Sequence, residues 1–311
     1  MFRSRVYRVD NEQVVLALTI ILVIGVIILT STVTFCVSGI FIILMFALSA
    51  VLIRSHHQSL MREAYHVKNL HSPKLGELVA ECSLKLQPGE VDVYLVDKNQ
   101  MNAYTFGINS PKVLVLYTSL LKVLTPGELK FIIGHEMGHV ALGHTWLNTI
   151  VGGLAGIPAP FGAAILLYAA FRWWNRRCEF SSDRAGLLAC GNLNLAVAAL
   201  VKLVAPEIRT QREFEQALAM IDAQDDEVTN RLAEAFQSHP MLIRRINKLR
   251  EYASTAEYQR LQAGMNRNVG EYREQPDEGR PSSPIAIEPP GVDQQPTKQP
   301  EERWPWLKPR D

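Results

Sequence analysis

The run His135-Glu136-Met137-Gly138-His139 holds the residues of this chain best suited to chemistry. On a helix, positions four apart share a face, so both imidazoles can reach one Zn²⁺ while Glu136 points toward a water at the ion. The expected reaction is hydrolysis, with one zinc per chain and Glu136 as the general base. A catalytic zinc needs a third protein ligand and one open position. His144 is the local candidate, but five residues beyond His139 it falls about 140° around a continuing helix and faces away. The metzincin extension needs glycine and histidine three and six residues after His139, where this chain has Leu142 and Thr145. The better candidate is Glu179, in Glu179-Phe180-Ser181-Ser182-Asp183. Its carboxylate and that of Asp183 share one helical face, so one can ligate zinc while the other accepts a ligand histidine's second ring hydrogen.

These residues need rigid elements beneath them. Thr125-Pro126-Gly127-Glu128 is a capping box with proline at the first helical position, and Leu129, Ile132 and Ile133 give the helix an apolar face. Helical patterns dominate from Thr125 to about Tyr252. Upstream, residues 58–86 read as helical, with Ser72-Pro73 as a helix start. Strands are expected at Val91–Val96, Asn102–Tyr104 and Val113–Leu116, with a turn at Asn109-Ser110-Pro111. The fold class is mainly α with a small β-sheet.

The 311 residues allow one sizeable domain or two small ones, and a formal net charge of +1 argues against a nucleic-acid partner held by phosphate neutralisation. Four cysteines without a C-x-x-C pair exclude a disulfide scaffold and a cysteine-rich zinc ribbon. From Gln13 to Ile53 no residue is charged. That run is about twice what one membrane span needs, so two transmembrane helices are expected, at about 14–30 and 34–53. Arg3, Arg5 and Arg8 precede the pair, Arg54, Arg62, Lys68 and Lys74 follow it, and the connecting turn carries no basic residue. Both flanks are therefore expected in the cytoplasm, at the cell (inner) membrane.

A second uncharged stretch, Thr145 to Phe171, is interrupted by Gly152-Gly153, Gly156, Pro158, Pro160 and Gly162. A full crossing there would separate His139 from Glu179 across the bilayer. A short apolar hairpin at about 146–173 is expected instead, with Trp146, Trp173 and Trp174 near the interface. Nine of the 17 prolines lie between Pro276 and Pro309, so 262–311 reads as a disordered tail, and its Trp304-Pro305-Trp306-Leu307 has no partner that sequence identifies. The expected organisation is a membrane anchor over 1–57, a domain carrying the zinc site over 58–261 and the tail.

From about Asn102 to Arg250 the sequence resembles the HtpX-like membrane zinc metalloendopeptidases, relatives of the CAAX prenyl endopeptidases. The resemblance rests on Asn102-Ala103-Tyr104, Ser119-Leu120-Leu121 with Thr125 to Leu129, the histidine motif, Glu179 with Asp183, and Ser238-His239-Pro240 followed by Arg245-Ile246. It implies a zincin-like domain in which His135, His139 and Glu179 bind zinc and Glu136 is the base. It also implies that Asn102 and Ala103 lie on an edge strand holding substrate backbone, and that His239 and Arg245 line the site as further catalytic groups. HtpX proper carries two more spans between the histidine motif and the glutamate. Only about forty residues separate them here, which points to a shorter relative. The implied partners are extended protein or peptide substrates and the lipid bilayer, and the implied task is membrane-protein quality control. A specific prenyl-type processing protease is the alternative, and a zinc-bearing scaffold without proteolysis is a further one.

Overall fold

The computed structural model describes residues 4–33, 64–67, 73–107, 109–147, 149, 162–208, 210–223 and 240–274, with single positions between 40 and 62. After a single 3₁₀ turn at Ser4–Tyr7, helix α1 spans Glu12–Val33. Then come β1 (Ala64–His66), α2 (Pro73–Leu86), β2 (Val91–Val96), β3 (Ala103–Phe106), β4 (Lys112–Tyr117) and the short α3 (Thr118–Val123). The helical part comprises α4 (Pro126–Ala141), α5 (Gly162–Cys190), α6 (Leu193–Val204), α7 (Gln211–Ala223), α8 (Pro240–Ala253) and α9 (Ala256–Glu274).

The four strands run in the order β1-β2-β4-β3. The β2 and β4 pair is parallel, and β1 and β3 add antiparallel at the two edges. Leu95, Leu114 and Leu116 on the sheet join Leu75, Val79 and Leu86 of α2 and Leu129, Ile133 and Met137 of α4 in the main core. The result is mainly helical with a small mixed sheet, as the patterning indicates. Two boundaries differ from expectation. Residues 64–66 form an edge strand rather than helix, because their backbone pairs with Tyr94 to Val96 of β2. Helix α9 runs on through 262–274, because Leu261, Met265 and Val269 recur at four-residue spacing and are buried against the domain.

Within α1, large apolar side chains face outward, with Val14 55%, Ile21 65% and Leu29 66% exposed. Among the described residues no helix is long and apolar enough to cross a membrane. Most of 34–53 and all of 275–311 lie outside the described residues. So does the middle of the expected hairpin, 150–161. Trp146 and Trp173 are exposed, but Trp174 is buried with Val15, Leu147 and Cys178 and does not stand at an interface.

Helix α4 packs along α5, and glycine makes the approach possible. A Cβ on Gly134 would come within 2.3 Å of the Ala189 Cβ, and one on Gly138 within 2.6 Å of the Ala185 Cβ. Gly138→Ala therefore forces apart the two helices that carry the candidate ligands. Overpacking of this kind costs about 1–3 kcal/mol, more than the roughly 0.5–1 kcal/mol of helix propensity gained. The expected result is a melting temperature lower by several degrees. Gly76→Ala, on α2 with nothing within 4 Å, is expected to raise it slightly. Thermal melting of the two variants side by side checks both signs.

Candidate metal centre

Helix α4 starts where the sequence says it should. The Thr125 side chain accepts from the Glu128 backbone N–H and the Glu128 side chain accepts from the Thr125 N–H, with Pro126 at the first turn. Ten residues on, His135, Glu136 and His139 are buried on this helix. Their Nε2 atoms, those of His135 and His139, are 3.2 Å apart. Glu179 reaches across from α5, its Oε2 3.6 Å from His135 Nε2 and its Oε1 3.5 Å from His139 Nε2.

The other ring nitrogens are engaged elsewhere. His135 Nδ1 lies 3.0 Å from Asp183 Oδ1, and His139 Nδ1 lies 3.1 Å from Nδ1 of His144. With hydrogens on both Nδ1 atoms, each Nε2 presents a lone pair, and a carboxylate faces the pair. Three electron-rich atoms crowded this way repel unless a proton or a metal cation lies among them. Their spacing also fits one, since tetrahedral bonds of about 2.0–2.1 Å set ligand atoms roughly 3.3 Å apart. The donor set of two imidazoles and one carboxylate suits zinc with a position left open.

Arg245 of α8 holds both carboxylates. Its Nε and Nη2 donate to the two oxygens of Asp183 at 2.8 and 2.6 Å, and its Nη1 lies 3.3 Å from Glu179 Oε2. Burial by itself would raise the Glu179 carboxyl. The Arg245 guanidinium and the two histidines reverse that and hold it far below the usual carboxylate range. Asp183 is likewise pushed up by burial and pulled lower by Arg245 and His135. Both are therefore anions at any neutral pH. The same two carboxylates push the guanidinium well above its ordinary value, against the opposing effect of burial.

A cleft of about 430 Å³ opens on this group. His135, Glu136, His139, Glu179 and Arg245 line it together with Asn102 to Thr105. Ala103 pairs with Leu116 of β4, and Asn102 O accepts from the Tyr117 N–H, so the outer side of β3 is a sheet edge along the cleft. The structure thus brings together His135, Glu136, His139, Glu179, Asp183, Arg245, Asn102 and Ala103. His239 lies outside the described residues.

Residues 68–253, more than half of the chain, match the model of Peptidase family M48. The chain belongs to this family. It is 31% identical over 209 residues to the plastoglobule-localized metallopeptidase 48 of Arabidopsis thaliana, a match covering 62% of this chain and 60% of that protein. It is 28% identical over 221 residues to the protease HtpX of a Psychrobacter species, covering 60% of this chain and 72% of the relative. With a protease HtpX homolog of Ralstonia pickettii it shares 26% over 233 residues, 64% of this chain and 80% of the relative. The chain thus spans three fifths of the plastid relative's length and more of the bacterial ones. Family and named relatives support a metalloprotease.

Two residues around this M48 site escape sequence reasoning. His144 does not join the Nε2 cluster, yet it does not face away. Helix α4 ends at Ala141, Gly143 turns the chain at φ +80°, and His144 comes back against the rear of His139. Glu12, 132 positions earlier, meets its other nitrogen. The only sequence signal for Glu12 is that it is the last charge before the apolar run.

Proposed function

We propose that this chain is a zinc endopeptidase anchored in the cell (inner) membrane, with its site in the cytoplasm, that cleaves extended segments of membrane proteins in quality control. The observation that carries the hydrolase reading is the convergence of two Nε2 atoms and one carboxylate beside Glu136, in a cleft bordered by the edge strand β3. His135, His139 and Glu179 would hold the zinc, which when bound polarises a carbonyl and acidifies water.

The chain's own groups do the rest. An extended substrate adds its backbone to the β3 edge at Asn102 and Ala103, which favours unfolded segments over folded ones. Glu136 removes the proton of the attacking water and returns one to the leaving amine. Asp183 accepts the His135 Nδ1 hydrogen and fixes which nitrogen faces the cleft, and Arg245 fixes Asp183 and Glu179. The basic flanks and the outward apolar side chains of α1 support the anchor.

The test is degradation of casein by the detergent-solubilised full chain with and without chelator. Chelator-sensitive degradation, restored by zinc, is expected, and chelator-insensitive degradation or none at all would overturn the reading. Arg245→Lys replaces a planar fork that holds two carboxylates by a point charge. It is expected to lower kcat about 10–100-fold and to change KM less, which steady-state kinetics on a peptide substrate would check.

A further inference from the structure

We propose that Glu12, acting through His144, is a positioning residue of the metal centre, so that the first residue of the apolar N-terminal helix fixes the tautomer of His139. The inference rests on the reading of His139 as a metal ligand. For His139 to offer Nε2, its hydrogen must sit on Nδ1. That atom is 3.1 Å from Nδ1 of His144, which must then accept and carry its own hydrogen on Nε2. His144 Nε2 lies 3.0 Å from Glu12 Oε1, a carboxylate oxygen that can only accept. With both imidazoles neutral, one arrangement of hydrogens satisfies the whole chain of contacts, and it is the one that bares Nε2 of His139.

Glu12 is itself held from several sides. The Ser181 hydroxyl donates to its Oε2, and the same Oγ accepts from the Val9 N–H at 2.8 Å. Arg8 Nε lies 3.3 Å from Oε1, while Arg8 Nη2 donates at 2.7 Å to Leu142 O, next to the turn that returns His144. Glu12, His144 and Ser181 are all buried. So many fixed partners around one buried carboxylate exceed what an anchoring helix needs at its start. The arrangement parallels Asp183 behind His135, with one imidazole inserted between carboxylate and ligand.

The Cys178 thiol also lies close to Glu12 and His144, and these three donors invite a second metal. Two observations argue otherwise. Both His144 nitrogens are already engaged, and the Arg8 guanidinium, 3.3 Å from Glu12 Oε1, already sets a positive charge beside that carboxylate. The zinc-binding M48 reading therefore gains a structural dependence: metal affinity should follow how the N-terminal helix is seated.

The test uses the full chain in detergent, with zinc affinity measured by competition against a chromogenic chelator. Glu12→Gln is expected to weaken zinc binding about 10-fold and His144→Phe about 10–100-fold, the range for losing an outer partner of a ligand. The double variant should bind no more weakly than His144→Phe alone, because Glu12 acts only through His144. Additive losses, an unchanged affinity in Glu12→Gln, or two zinc ions per wild-type chain would overturn the proposal. Should the variants not fold, ¹⁵N-histidine NMR of the wild-type chain decides: hydrogen on Nδ1 of His139 and on Nε2 of His144 is expected, and the opposite tautomer on His144 refutes it. His139→Ala separates the two readings. Undiminished zinc binding there would fail the ligand assignment itself, whereas loss there with intact binding in Glu12→Gln would fail only the relay.

Discussion

Glu136→Gln is expected to lower kcat by about 10²–10⁴-fold while the zinc content of the purified protein stays unchanged. Gln is nearly isosteric with Glu, so the buried position on α4 keeps its packing. Glu136 is not among the three residues whose donor atoms converge, so the metal donors remain. What disappears is the carboxylate that takes and returns the proton. Elemental analysis beside peptide hydrolysis checks both halves. Activity retained within a few fold would remove Glu136 from the mechanism, and a parallel loss of metal would recast it as a ligand.

Glu179→Gln is expected to behave in the opposite way, with zinc affinity falling by more than about 100-fold, the upper end of what loss of an outer partner costs. The substitution exchanges an anion for a neutral amide at a point where the two Nε2 atoms are 3.5 and 3.6 Å from the carboxylate oxygens. It also leaves the Arg245 guanidinium facing the site with one carboxylate instead of two. That adds fixed positive charge where a cation must bind. Competition with a chelator measures the loss, and thermal melting of the metal-free variant separates it from misfolding. Full zinc content with normal affinity would show that Glu179 is not the third ligand.

The contrast between these variants bears on the alternatives. A zinc-bearing scaffold would depend on Glu179 and be indifferent to Glu136. A processing enzyme with one preferred substrate would depend on both but leave casein intact. The β3 edge beside the cleft favours the broader use, because backbone pairing accepts many sequences in extended form.

Sequence by itself determined what lies within a few turns of one element. Periodicity of 3.6 residues places His135, Glu136 and His139 on one helix, and Glu179 and Asp183 on one face of another. The capping box sets the start of α4 because its partners are three residues apart. Strands β2 and β4 were legible from their apolar, β-branched runs. Their order in the sheet was not, and neither was the edge strand at 64–66, whose pairing partners lie some thirty residues away. Only the tertiary structure decided that Arg245 grips Asp183 and Glu179, that Gly134 and Gly138 let α5 approach α4, and that Glu12 and His144 stand behind His139. The reason is physical: local hydrogen bonds and side-chain periodicity act over three or four residues and repeat wherever the pattern recurs. A contact between residues 12 and 144 depends on a single turn at Gly143 and on how α1 and α5 pack, and neither leaves a spacing to read.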